Sequence, residues 1–368
     1  MKRPLGKLRF SKTVVAGASA LAFLLLCVAP AGWPILAQEP HAPALTPPLA
    51  QAPAYKDVID ELGRTIRVPQ PIQRIVSLAP SLTETIYALG LQDRLVGDTD
   101  YCDYPADAQK KMKVGGMINP SLEQIVSLRP DLVLVTKGPN RLETVQALAD
   151  LGIPSYATNP HTVQQIVSST ERLADLLGAA DAGSSVGADL DHRLADLQQK
   201  LAPYPERHVL FIVWTDPLIS IGQNTFIADA LRHAGAVSIV ESSQDWPQTS
   251  LEEVVRLQPE FLVFAPSHSD SAQNEFDALV ARPGWRGLDA VRNHRFAVIS
   301  DAVNRPAPRI VSAIEDLARQ LHPEAFAPHT LDENEKKSPS AVPADGFFPA
   351  KESSRADTSQ WEACVCAH

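Results

Sequence analysis

Two glutamates in matching surroundings carry the most specific chemical signal in this sequence. Ser121 to Val135 (SLEQIVSLRPDLVLV) and Ser250 to Phe264 (SLEEVVRLQPEFLVF) align without gaps, with six identities in fifteen positions. In each copy a serine is followed three residues later by Gln124 or Glu253, the spacing of a capping box at a helix start. Glu123 and Glu252 are then free of capping duty in the first helical turn, pointing outward if Ile125, Val126 and Leu128 face inward. A single acid there complements the helix dipole by about 0.3 to 1 kcal/mol. Two such acids at equivalent places also make a pair of knobs suited to a two-fold partner that presents arginines.

A second set of residues falls where strands are predicted to end, the place at which parallel sheets bind ligands. It comprises Pro80 and Ser81, Tyr101, Met117, Trp214, Trp246, and the stretch from Asp301 to Arg305. Tyrosine and tryptophan offer broad faces to a flat or bulky ligand, and Asp301 with Arg305 can fix polar groups at its edge. Core packing is the competing explanation for Trp214; Trp246, in the polar stretch SSQDWPQTS, is harder to place in a core.

Signatures of enzymes are sparse. The phosphate-binding G-x-x-x-x-G-K-[ST], the dinucleotide G-x-G-x-x-G, the zinc-binding H-E-x-x-H and C-x-x-C are all missing. The ten histidines are scattered singly. His268 follows a predicted strand and could reach a cleft, whereas His192, His233 and His322 read as surface or packing residues. The terminal CVCAH offers too few ligands for a soft metal. No catalytic residue, resident metal or cofactor is therefore expected.

These residues need elements to hold them. Arg74 to Leu78 reads as a strand, followed by a helix capped by Ser81 with Glu84 three residues on and ending at Gly90. Leu132 to Val135 and Ile153 to Thr158 read as strands around a helix from Arg141 to Leu151. His208 to Trp214, Phe261 to Phe264 and Arg295 to Ser300 repeat the pattern, with helices at 227–234, 251–257 and 306–321. Apolar runs this short, set between helices, suit parallel sheets buried on both faces. Between the two halves, Thr162 to Leu201 keeps helical spacing over nearly forty residues, with breaks expected at Gly178 and Gly183. The repeat and this connector together predict two similar α/β lobes facing each other.

Composition sets the outer limits. The 368 residues are 45% hydrophobic and 21% charged, ordinary for a globular chain with two cores. The 33 basic and 43 acidic residues give −10, but five of the cations precede the first acid, Glu39, so the remainder (28 against 43) carries −15. A body this acidic repels phosphate backbones, which argues against nucleic-acid binding. Behind the basic head, residues 13–29 form an apolar run, the layout of a secretory signal peptide over 1–37, with an uncleaved anchor as its alternative. Residues 38–54 read as a proline-rich linker, 55–161 as the first lobe, 162–202 as the connecting helix, 203–326 as the second lobe and 327–368 as a disordered tail. Only Cys102 of the four cysteines lies in the body, so no internal disulfide framework is expected.

The runs RIVSLAPSLTETIYALG, VGDTDYCDYP, VGGMINPSLEQIVSLRPDLVLV, WPQTSLEEVV and APRIVSAIEDLARQL resemble the helical-backbone (class III) substrate-binding proteins of ABC importers, and most of all their periplasmic cobalamin-binding branch. The similarity spans about Tyr55 to Phe326. It implies two Rossmann-like lobes joined by a long rigid helix, and a corrinoid held between them. On that resemblance Tyr101 matches a tyrosine over the ligand, Trp246 a flanking tryptophan, and Asp301 to Arg305 the loop at its far edge. Glu123 and Glu252 match glutamates that dock arginines of a dimeric permease at the inner membrane. The protein is then expected to act as a monomer in the periplasm. Met117 and Thr136 stand where cobalamin binders often have tryptophan, so haem and ferric siderophores stay open as ligands. An enzyme acting on a metal chelate, using Asp301 or His268, and a signalling protein working through its tail are the readings from other classes.

Overall fold

A computed structural model describes residues 54–264 and 272–327. The chain divides into Met1–Ala52 and Pro53–His368, and every described residue belongs to the second unit. The expected signal peptide, nearly all of the linker and tail, His268, and the cysteines other than Cys102 lie outside the described residues.

The described chain opens with an antiparallel hairpin of β1 (Ala54–Ile59) and β2 (Thr65–Gln70) that the sequence did not announce. The first lobe then runs β3 (Ile75–Ser77), α1 (Pro80–Ala88), β4 (Leu95–Asp98), β5 (Met112–Lys113), α2 (Leu122–Ser127), β6 (Leu132–Thr136), α3 (Leu142–Asp150) and β7 (Ser155–Thr158). Its five strands are all parallel, in the order β5-β4-β3-β6-β7. Every residue of β6 is buried because the sheet is covered on both faces. Alternate side chains feed two cores: Ile75, Leu132 and Leu134 face one, and Val76, Val133 and Val135 the other.

Two helices follow, α4 (Val163–Leu176) and α5 (Ala180–Leu201). The second lobe contains β8 (Arg207–Ile212), a small hairpin of β9 (Trp214–Thr215) and β10 (Leu218–Ile219), α6 (Phe226–His233), β11 (Ala236–Ser238), α7 (Leu251–Leu257) and β12 (Phe261–Phe264). It closes with α8 (Ala272–Val280), α9 (Asp289–Arg292), β13 (Phe296–Val298), α10 (Ile310–Leu321) and α11 (Pro323–Phe326). Its main sheet is again parallel, in the order β11-β8-β12-β13. In both lobes, then, the helix carrying the paired glutamate leads back to a central strand.

The connector differs from a single rod. It breaks at Gly178, in the left-handed region at φ 70°, but continues through Gly183, which lies within α5. A side chain at Gly183 would put its Cβ 2.5 Å from the Cβ of Ala174, and Gln164 on α4 donates to Asp191 on α5. The two helices therefore lie antiparallel against one another. Both cross between the lobes: Val163 and Ile166 pack in the core of the second lobe and Leu173 and Leu176 in that of the first. Helix α5, at 22 residues about 33 Å long, returns from Ala182 in the first core to Leu194 and Leu201 in the second. The strut is double.

Two local expectations also need correcting. Ser81 does not cap α1; the cap is Ala79, Pro80 takes the first helical position, and Ser81 is buried one residue further in. A proline there has no N–H to satisfy and a backbone angle suited to the first turn, so it moves the start of the helix back by two residues. On α2, Ile125 is fully buried but Val126 is 42% exposed.

Candidate functional site

The carboxyl ends of the two sheets meet at a cluster of charges. Glu84, on α1 of the first lobe, is 4% exposed. Arg309 at the start of α10 grips both its oxygens, donating from Nε to Oε2 and from Nη2 to Oε1 at 2.9 Å each. Arg305 donates to Glu84 Oε1 at 2.8 Å and to Asp103 Oδ1 at 2.6 Å. Asp301 pairs with both guanidiniums at 3.2 Å, and Arg309 lies 4.2 Å from the centre of the Tyr104 ring. Burial works against both cations, but the surrounding carboxylates outweigh it and hold the two arginines above their usual pKa range. The hydrogen bond from Arg305 holds the Asp103 carboxyl below the usual carboxylate range.

The residues singled out by sequence all lie at or just beyond the ends of strands in the two sheets. Pro80 and Ser81 begin α1 after β3, one helical turn before Glu84, and both are buried. Tyr101 follows β4 and is 58% exposed, in a turn closed by Cys102 N–H donating to Thr99 O. Met117 follows β5 and is partly buried against the first core. Trp214 follows β8 and Trp246 follows β11; they are 61% and 53% exposed. Trp214 is thus no core residue: its Nε1 donates to Asp216 O across the small hairpin. Asp301 and Arg305 follow β13, where Arg305 spends its guanidinium on three protein carboxylates.

Several positioning residues escaped the sequence reading. Asn140 is buried and donates to Leu78 O and Met117 O while accepting from Thr136 N–H, so it ties together three strand-end loops. Beneath the Tyr101 turn, Asp98 is fully buried; Lys113 donates to its Oδ1 at 2.8 Å while Oδ2 has no partner. Burial pushes its carboxyl up to about 6 against the pull of Lys113. Cys102, in contact with Thr83 and Thr99 hydroxyls, is buried, and burial raises its thiol pKa. The hydrolase-elbow spacing G-x-S-x-G occurs as Gly183 to Gly187 (GSSVG). Ser185 there lies inside α5 rather than on a strand-to-helix turn, so the match has no catalytic geometry.

The paired glutamates keep their symmetry. Ser121 and Ser250 accept from the N–H of Gln124 and Glu253, as expected of caps. The reciprocal half of the box is not made: Ser121 N–H goes to Val114 O, and the Glu253 carboxylate takes Arg256 through two bonds. Glu123 and Glu252 are exposed and make no hydrogen bond or ion pair among the described residues.

A cavity of about 660 Å³ lies on the strut side of the charge cluster, between α1, α5 and α10, lined in part by Tyr87, Tyr104, Asp189 and Arg193. None of the predicted ligand residues lines it. Among the described residues, no group of three or more histidine, cysteine or acidic side chains could hold a metal, and no helix is long and apolar enough to cross a membrane.

Two parallel α/β lobes, bridged by helices and presenting exposed aromatics where their strands end, define a two-lobed binding protein. The chain belongs to the periplasmic binding protein family, whose model matches residues 75–303. An ABC transporter substrate-binding lipoprotein of Bacillus subtilis, YvrC, is 30% identical over 73% of this chain and 85% of its own length. The crystal structure of the periplasmic vitamin B12 binding protein BtuF of Vibrio cholerae is 29% identical with a TM-score of 0.61, covering 70% of this chain and 99% of that one. The periplasmic haem-binding protein RhuT of a Roseiflexus species is 26% identical with the same TM-score of 0.61, covering 69% and 99%.

Proposed function

We propose that this protein is the extracytoplasmic substrate-binding component of an ABC importer and that its cargo is a corrinoid of the cobalamin type. The observation that carries the reading is the set of exposed aromatic faces at the strand ends, Tyr101 from one lobe with Trp214 and Trp246 from the other. Aromatic faces left open at the ends of parallel strands offer broad apolar area to a bulky ligand at the place where such sheets bind one. Similarity to the vitamin B12 binding protein selects the class of ligand. The ligand is held and released unchanged, as expected of a binding-protein family, and the chain needs no resident cofactor. Glu123 and Glu252 meet a permease dimer at the inner membrane, and the protein works as a monomer in the periplasm.

Haem is the second reading, favoured by the similarity to a haem-binding protein and by Met117 and Thr136 standing where cobalamin binders often have tryptophan. Titration with cyanocobalamin, cobinamide and haemin, followed by ligand absorbance, separates the two. The expected result is saturable one-to-one binding of a corrinoid, weakened at least tenfold by Trp246→Ala. Binding of haemin alone would transfer the assignment to haem, and binding of none of the three would refute the metal-chelate reading.

A further inference from the structure

We propose that Glu84 is a positioning residue that ties the lobes together and thereby fixes the width of the cleft. The inference rests on the binding reading above, and it concerns the protein's own geometry rather than the ligand's identity. Glu84 belongs to the first lobe, and both of its guanidinium partners belong to the second, 221 and 225 residues further along the chain. Its side chain is 2% exposed, so water cannot replace either partner while the lobes stay in register. Drawing the lobes apart would strand a buried carboxylate against two partly buried cations, and that penalty rises steeply once hydrogen-bond distance is exceeded.

The geometry is directional as well as strong. Arg309 meets both oxygens in the planar fork arrangement, which fixes the angle between α1 and the start of α10 as well as their separation. Arg305 extends the contact to Asp103, two residues beyond Tyr101, so the same clasp anchors the loop that presents that ring. Three carboxylates face two guanidiniums; both arginines reach Glu84 and Asp301, and of the three carboxylates only Glu84 is buried. Asp103 and Asp301, at 56% and 42% side-chain exposure, can lose their pairs to water at small cost. Glu84 cannot.

The test replaces Glu84 in the full chain by glutamine, which keeps the shape and removes the charge. Titration with cyanocobalamin and haemin should show at least tenfold weaker binding of whichever probe the unaltered protein takes. Amide hydrogen exchange should accelerate at 80–88, 99–105 and 301–310 and stay unchanged in β6, β7 and α3. Arg309→Gln should give the same loss, and the double variant should be no worse than either single one, as for two halves of one contact. A merely structural Glu84 would lower the melting temperature without local exchange at the clasp or loss of affinity, and binding within twofold of the unaltered protein would overturn the proposal. If the unaltered protein binds neither probe, the ligand reading fails while the exchange pattern alone decides this one. Should Glu84→Gln not fold, Glu84→Asp, which retains the charge on a shorter arm, should weaken binding and loosen the same three segments; unchanged exchange there would likewise overturn it.

Discussion

Asp98 carries a charge that its surroundings only half accept. One oxygen takes Lys113 Nζ and the other is buried without a partner, which is why burial pushes the carboxyl up to about 6. An unfolded aspartate titrates near 4, so between about pH 4 and pH 6 the folded chain holds a proton that the unfolded chain has lost. Stability from this group is therefore fully present below that window and declines as pH rises through it, by an amount on the order of 2 to 3 kcal/mol. Urea midpoints measured from pH 4 to pH 7 should show this fall, and Asp98→Asn should flatten it. A slope unchanged by the substitution would mean that Asp98 is ionised throughout. The position lies directly under the Tyr101 turn, so the cost is borne where ligand contact is expected.

At the level of elements, α4 and α5 depend on a close approach that only a missing side chain allows. Gly183→Ala gains about 0.5 to 1 kcal/mol of helix propensity but sets a methyl 2.5 Å from that of Ala174. Forcing the two helices apart costs about 1 to 3 kcal/mol, so the net effect should be destabilising. Thermal melting checks this: Ala174→Gly added to Gly183→Ala should recover most of the loss, and a Gly183→Ala protein at least as stable as the original would show that the helices part freely. Helical spacing over Thr162 to Leu201 made the connector legible, but two glycines of the same type gave no means to tell the breaking one from the packing one. Gly178 has φ 70° and ends a helix, whereas Gly183 sits inside one, a distinction set by tertiary contact. The Ser81–Glu84 spacing misled for a related reason. It fits a capping box, yet Pro80 already supplied the start of the helix, and Glu84 was left to reach the other lobe.

For the molecule as a whole, the alternation of short apolar runs and helices disclosed two buried parallel sheets, and the internal repeat disclosed their equivalence. Residues at strand ends were legible because parallel topology puts loops of one kind on one side of a sheet. What joins the lobes was not legible: Glu84 lies more than 200 residues from both Arg305 and Arg309 and no periodicity links them. The paired acids test the reading at this scale. Replacing Glu123 and Glu252 together by alanine should abolish ligand uptake by cells while leaving titration of the purified protein unchanged, and each single replacement should act partially. Uptake at the original rate would refute the docking role.

The paired crossing of α4 and α5 has a consequence for traffic at the transporter. Two rods braced along their length resist bending far more than one, so, on the docking role proposed for Glu123 and Glu252, an empty carrier should present the two acids at nearly the same spacing as a full one. A transporter that gauges only this spacing would admit vacant carriers as readily as laden ones. Import would then slow whenever carriers outnumber cargo, because unladen copies occupy the doorway.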